Sequence, residues 1–252
     1  MTEIAPPEEV LAFLKRAHDD FQPLAEKLEF DKAFALHRTI IALYGSILEL
    51  TGCSIVLIDK KLITGVPVLL RAVLEGYVDL VNLIRNARYG YCLELSYIKE
   101  WLKILDEAKA GKNDYLREIT QAPSLDAMIS NWREEKRKLE AKDYKSLSIE
   151  TKFKWADMEK EYRSIYNSLC CDAHNNLRAL IERHIEREPG DFSVVYYKAY
   201  TAEDSAVYVG MNAELLLRAT EALHEFLKSP VKDKVRGYRE ELDKLRGEAA
   251  AA

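Results

Sequence analysis

Few breakers interrupt this chain. It contains ten glycines and seven prolines in 252 residues, and the segments between them are mostly too long for strands, whose usual length is about five to six residues. Within those segments apolar residues recur at helical spacing. The pattern predicts an all-α protein, a single multi-helix bundle of about seven to nine helices. The one exception is "FSVVYYKAY" at 192–200, which is β-branched and aromatic and reads as at most one short strand or an ordered loop.

Composition narrows the functional classes. With 48% hydrophobic and 31% charged residues the chain can bury a sizeable core and is too apolar for disorder. A net charge of −5 provides no global field for nucleic acid or an anionic membrane surface, so contact with RNA would need a local basic patch. Cys53, Cys92, Cys170 and Cys171 lack C-x-x-C spacing and suggest no disulfide framework. Together with an acidic amino terminus that has no apolar h-region, this predicts a cytoplasmic location.

Two stretches, 40–58 and 65–84, have the length of a membrane span. Glu49 interrupts the first, and Arg71, Glu75 and Asp79 interrupt the second, at about 2.5 to 3.5 kcal/mol for each central charge. Buried helices of a soluble bundle are expected, with no membrane contact.

The first helix is expected to start at Pro7 and to bend or break near Pro23. Helices over about 31–61 and 67–86 form a core hairpin around Gly65 and Pro67. Amphipathic helices come next, before Gly111 and after Pro123, then one long helix from about Glu150 to Arg187. "TAED" at 201–204 matches a capping box opening the last core helix. Residues 1–229 are read as the bundle and 230–252 as a charged appendage.

The polar residues on these helices are the candidate site. Arg71, Glu75, Asp79 and Asn82 fall within about 80° of one another on an otherwise apolar helix. Arg38, Ala42, Gly45, Glu49, Gly52 and Cys53 share a face of the preceding helix, whose small residues admit a close neighbour, a helix or a ligand. On the long helix Tyr162, Tyr166, Cys170, Ala173 and Leu177 form an inward stripe, and Arg163, Asn167, His174 and Arg178 a flank. His174 and Arg178 are four residues apart, where a histidine beside cations suits phosphate binding and general-base work.

The set Gly65, Pro67, Arg71 and Glu75, together with the later Tyr162, Tyr166, Leu169 and His174, resembles the bacterial family catalogued as domain of unknown function 5677. The likeness spans residues 30–228 and departs at Cys170, where the family carries serine. It implies an α-helical bundle and assigns no reaction. The layout is also similar to HEPN-type helical domains, many of them metal-independent ribonucleases of toxin and defence systems with an Arg-x(4–6)-His signature. Arg178 with His184, and Arg218 with His224, match that spacing.

Glu221 and His224 make one Glu-x-x-His where a di-metal bundle needs two, so no metal and no cofactor are expected. No P-loop, H-E-x-x-H, G-x-G-x-x-G or G-x-S-x-G occurs. The expected function is an interaction or ligand-binding module in which Arg71, Glu75, Tyr166 and His174 form an internal polar network, with Arg38, Glu49 and Arg163 as further polar-network or ligand-binding candidates. The alternative is a HEPN-like RNA-binding protein or ribonuclease with His174 as base and Arg178, Arg163 or Arg71 on the phosphate. The partners in view are a second copy as a homodimer, another protein, or RNA.

Overall fold

The structure, a computed structural model, describes residues 5–247. The chain divides into two compact units, one formed by Met1–Ile84 with Phe153–Ala252 and the other by Arg85–Lys152. No Gly/Ser-rich linker marks the division. Helices dominate, in more segments than the seven to nine expected, and the described residues contain one two-stranded sheet.

In the larger unit, α1 (Pro7–Glu26) begins with proline at its first position and two glutamates in its first turn, both favoured there. It runs unbroken through Pro23, which lies in its last turn. The helix α2 (Ala35–Asp59) buries Ile40, Tyr44, Ile47 and Ile55 and packs on α1 and on α11 (Ala202–Phe226). Among the described residues α2 alone is long and apolar enough to cross a membrane, with a mean hydropathy of 1.9. Its Tyr44 hydroxyl meets the Thr220 hydroxyl of α11 at 2.9 Å in the buried core. The expected capping box is present at the start of α11, where the Thr201 hydroxyl accepts from the Asp204 amide and the Asp204 carboxylate accepts from the Thr201 amide.

The helix α3 (Val66–Arg85) lays Gly76 against Ile47 of α2 and Tyr77 under the guanidinium of Arg218 from α11. At the far end of the chain, α12 (Lys232–Leu245) buries Val235 and Leu242 and packs on both α1 and α11. Arg239 donates two hydrogen bonds to Glu221 and one to Glu214, and the Tyr238 hydroxyl bonds Asp20. The segment read as a charged appendage is thus an integral helix. Its high charge misleads because the charged face meets charges of α11 and the narrow apolar face meets the core.

In the smaller unit α4 (Tyr89–Ala110), the short α5 (Arg117–Thr120) and α6 (Leu125–Glu140) succeed one another in order. Leu95, Ile98, Leu102 and Leu105 of α4 close on Leu125, Ile129 and Leu139 of α6, flanked by Trp101 and Trp132. The charge-dense half of α6 is solvated, as its composition predicts, and pairs Arg133 with Asp106 across the two helices.

The long helix expected over 150–187 is in pieces: α7 (Ile149–Trp155), α8 (Glu159–Glu161), a π-helical turn over Tyr162–Tyr166, α9 (Asn167–Ala173) and α10 (Leu177–His184). Asp157 and Asn175 adopt left-handed conformations, φ 58° and 49°, at the two main breaks. Both residue types tolerate that region, and neither break carries a proline or glycine to announce it. Asn176 then caps α10 by accepting from the Ala179 amide. After His184 the chain turns into the hairpin of β1 (Ile185–Glu188) and β2 (Asp191–Val194), joined at Pro189 and Gly190. The strand therefore starts earlier than 192 and takes in residues assigned to the helix, while Tyr196 and Tyr197 lie beyond it and are exposed.

Candidate functional site

The π-turn sets the site. A π-turn admits one extra residue into the helical ladder and rotates the next turn about the axis. Here it stacks Tyr162 on Tyr166, ring centroids 5.5 Å apart, and seats Tyr166 against Phe153 at 4.9 Å. Tyr166 is 4% exposed, and its hydroxyl points at α3. There it donates to Oε1 of Glu75 at 2.8 Å and accepts from Nη2 of Arg71 at 3.3 Å.

Arg71 joins the whole set. Its Nε donates to Glu75 at 3.0 Å, and its Nη1 lies 3.3 Å from Nε2 of His174, the residue that ends α9. A guanidinium only donates, so Nε2 of His174 is the acceptor in this hydrogen bond. The result is a continuous hydrogen-bonded chain of Glu75, Tyr166, Arg71 and His174, buried at the tyrosine and open to solvent at the histidine.

The electrostatics reflect that gradient. Burial pushes the Tyr166 phenol above its ordinary pKa, and the Glu75 carboxylate reinforces this while Arg71 opposes it. Cys170, one turn on, raises it further, so the position where the resembled family has serine borders the network. For Arg71, burial works against the cation, but the hydrogen bond to Tyr166 and the charge of Glu75 outweigh it and hold the pKa above the usual value.

The other candidates stand elsewhere. Arg38 donates to the carbonyls of Lys32 and Ala33 and fastens the loop before α2. Glu49 and Arg163 are exposed, and the network includes neither. Arg178 does not act with His174: the break at Asn175 puts it on a different helix, and its Nε bonds Glu182 at 2.7 Å. The same break turns Leu177, expected inward, out to 73% exposure. Of the two Arg-x(4–6)-His matches, His184 bonds the Val195 carbonyl at 2.9 Å and His224 is buried.

Sequence reasoning missed the clamp that fixes His174. Arg183, 8% exposed, reaches back to Oδ1 of Asn175 and to the carbonyl and carboxylate of Asp172. The only hint was an arginine on the apolar side of a short amphipathic helix. Gly52 is explained by His18 of α1, whose ring lies where a Cβ would stand and whose Nε2 is 3.2 Å from the Leu48 carbonyl. The close neighbour on that face is a helix.

Residues 37–192 match the model of the Family of unknown function (DUF5677). The chain belongs to that family. The matched span is shorter than the 30–228 expected from the motifs, yet it contains all of Arg71, Glu75, Tyr166 and His174, and it leaves out α1, α11 and α12. No curated protein and no solved structure in the comparisons matches the chain. Among the described residues no three His, Cys, Asp or Glu side chains stand close enough to share a metal ion.

The smaller unit holds a groove of about 830 Å³ between α4 and α6. Lys99, Lys103, Lys109, Arg133, Lys136 and Arg137 line it. Each already pairs with a carboxylate, among them Glu140, Glu100, Asp126, Asp106 and Glu134, so the local basic patch that RNA would need is largely neutralised.

Proposed function

We propose that this chain is a helical interaction or ligand-binding module whose recognition point is the solvent end of the Arg71 network. One observation carries the reading: Arg71 is held by three different partners on two segments about a hundred residues apart, and one of those partners, His174, reaches solvent. Three of the five guanidinium N–H groups are engaged, which leaves two for an incoming acceptor beside the His174 ring. A cation already oriented by Glu75 and Tyr166 loses little side-chain entropy on binding. The module reading needs no nucleophile, and the site has none beyond the buried-edge thiol of Cys170.

A second reading is favoured by the 3.3 Å approach of Arg71 to His174, the pairing of cation and base that a metal-independent ribonuclease would use. In this reading Arg71, of the three arginines expected as candidates, holds the phosphate. A labelled RNA oligonucleotide incubated in chelator at neutral pH separates the two. The module reading expects no cleavage above background by wild type. Cleavage that disappears in His174→Ala and in Arg71→Ala establishes the nuclease instead.

A further inference from the structure

The carboxyl end of α11 meets the amino end of α12 around a separate cavity of about 270 Å³, lined by Glu221, His224, Glu225, Lys232, Val235 and Arg236. His224 is 1% exposed, and neither ring nitrogen has a hydrogen-bond partner among the described residues. An imidazole so buried ordinarily bonds at least one neighbour, since an orphaned polar group costs about 1 to 3 kcal/mol. Burial also lowers its pKa, so the ring is neutral and offers one N–H donor and one acceptor.

The surroundings select the sign of a guest. Lys232 and Arg236 stand at the rim in the first turns of α12, a helix of 14 residues whose Val231 cap makes no side-chain hydrogen bond to the turn. Residues of its first two turns line the cavity, so the positive end of the helix lies close to it. Of the two acids, Glu221 is already neutralised by a two-pronged contact with Arg239, leaving Glu225 as the acidic group at the rim. Two cations, a helix amino end and a neutral imidazole with a vacant donor and a vacant acceptor fit an anion that can also donate.

We propose that this junction is a binding site for a small protonated oxyanion of the phosphate class, free phosphate or a phosphate monoester. One ring nitrogen of His224 accepts from the P–OH, and Lys232 and Arg236 balance the charge. The site is distinct from the Arg71 network and does not depend on its role.

The test is calorimetric titration of the full chain with inorganic phosphate, with sulfate, which carries no proton at neutral pH, as the comparison. Saturable phosphate binding, tighter than sulfate, is expected, and it weakens at least about tenfold in both His224→Leu and Arg236→Ala. The leucine variant removes an orphaned polar group and is expected to be at least as stable as wild type, while Arg236 is exposed and its truncation leaves the fold intact. A phenyl phosphate titration distinguishes the free ion from a monoester. Absence of saturable binding, or equal affinity in wild type and both variants, overturns the proposal and identifies the cavity as a water-filled gap.

Discussion

Arg71 is the residue on which the site turns. Replacing it with alanine leaves the Glu75 carboxylate and the Tyr166 hydroxyl without their cation in a half-buried setting. Deleting one partner of a fully buried pair costs about 3 to 5 kcal/mol; with a quarter of the Arg71 side chain exposed, about 1 to 3 kcal/mol is expected. Urea denaturation measures it as a lower midpoint, and an unchanged midpoint would sink the network. Tyr166→Phe keeps the ring packing on Phe153 and removes only the hydroxyl, so a smaller loss of about 1 kcal/mol is expected in the same assay. The Arg71 and Glu75 pairing was legible because i,i+4 spacing brings side chains together on any helix. Arg178 was misjudged on the same rule, since the rule fails where Asn175 ends the helix.

At the scale of the element, two glycines on α2 separate local propensity from packing. A Cβ on Gly52 would lie 2.9 Å from Nε2 of His18, whereas one on Gly45 meets nothing within 4 Å. Both replacements by alanine gain up to about 1 kcal/mol of helix propensity. Gly45→Ala is expected to raise the thermal midpoint by a few degrees, and Gly52→Ala to lower it, because displacing the His18 ring costs about 1 to 3 kcal/mol. Equal shifts for the two variants would show that the α1 to α2 contact is loose. The sequence marked both glycines as unusual without separating them, since the difference lies in a residue of another helix. The breaks at Asp157 and Asn175 were hidden for a related reason: each is a left-handed residue of a type that helices also accommodate, and the Arg183 clamp that stabilises the second becomes visible only once α10 has folded back.

At the scale of the whole molecule, α12 closes the larger unit. Val235 and Leu242 are fully buried, and Tyr238 lies edge-on to Phe13 and Phe21 of α1. A chain ending at Ser229 would expose that apolar surface, at about 1.5 to 3 kcal/mol for each large side chain. Increased binding of a hydrophobic dye and loss of a cooperative melt are expected; a cooperative melt like that of the full chain would contradict the docking of α12. The clasp also has an acid limit. Burial raises the Glu214 carboxyl, but the hydrogen bond and charge of Arg239, joined by Arg246, outweigh it and hold its pKa below the ordinary value. The unfolded state therefore binds this proton first as pH falls, so the stabilisation is complete above about pH 4.5 and is lost on acidification through the lowered pKa. Glu214→Gln is expected to flatten that part of the stability profile measured by denaturant titration between about pH 5 and pH 3.

What the chain determined by itself was local: a helical class from scarce breakers, helix starts at Pro7 and Thr201, and the polar stripe led by Arg71 and Glu75. Those features depend on interactions within a turn or two, whose partners are written next to one another. Only the tertiary structure decided that Tyr166 and His174 meet Arg71, that Arg178 turns away, that residues 85–152 gather into their own unit, and that the charged carboxyl-terminal helix belongs to the core. Each of these is a choice among partners far apart in the chain, settled by which arrangement buries the most apolar surface while leaving every buried charge a partner.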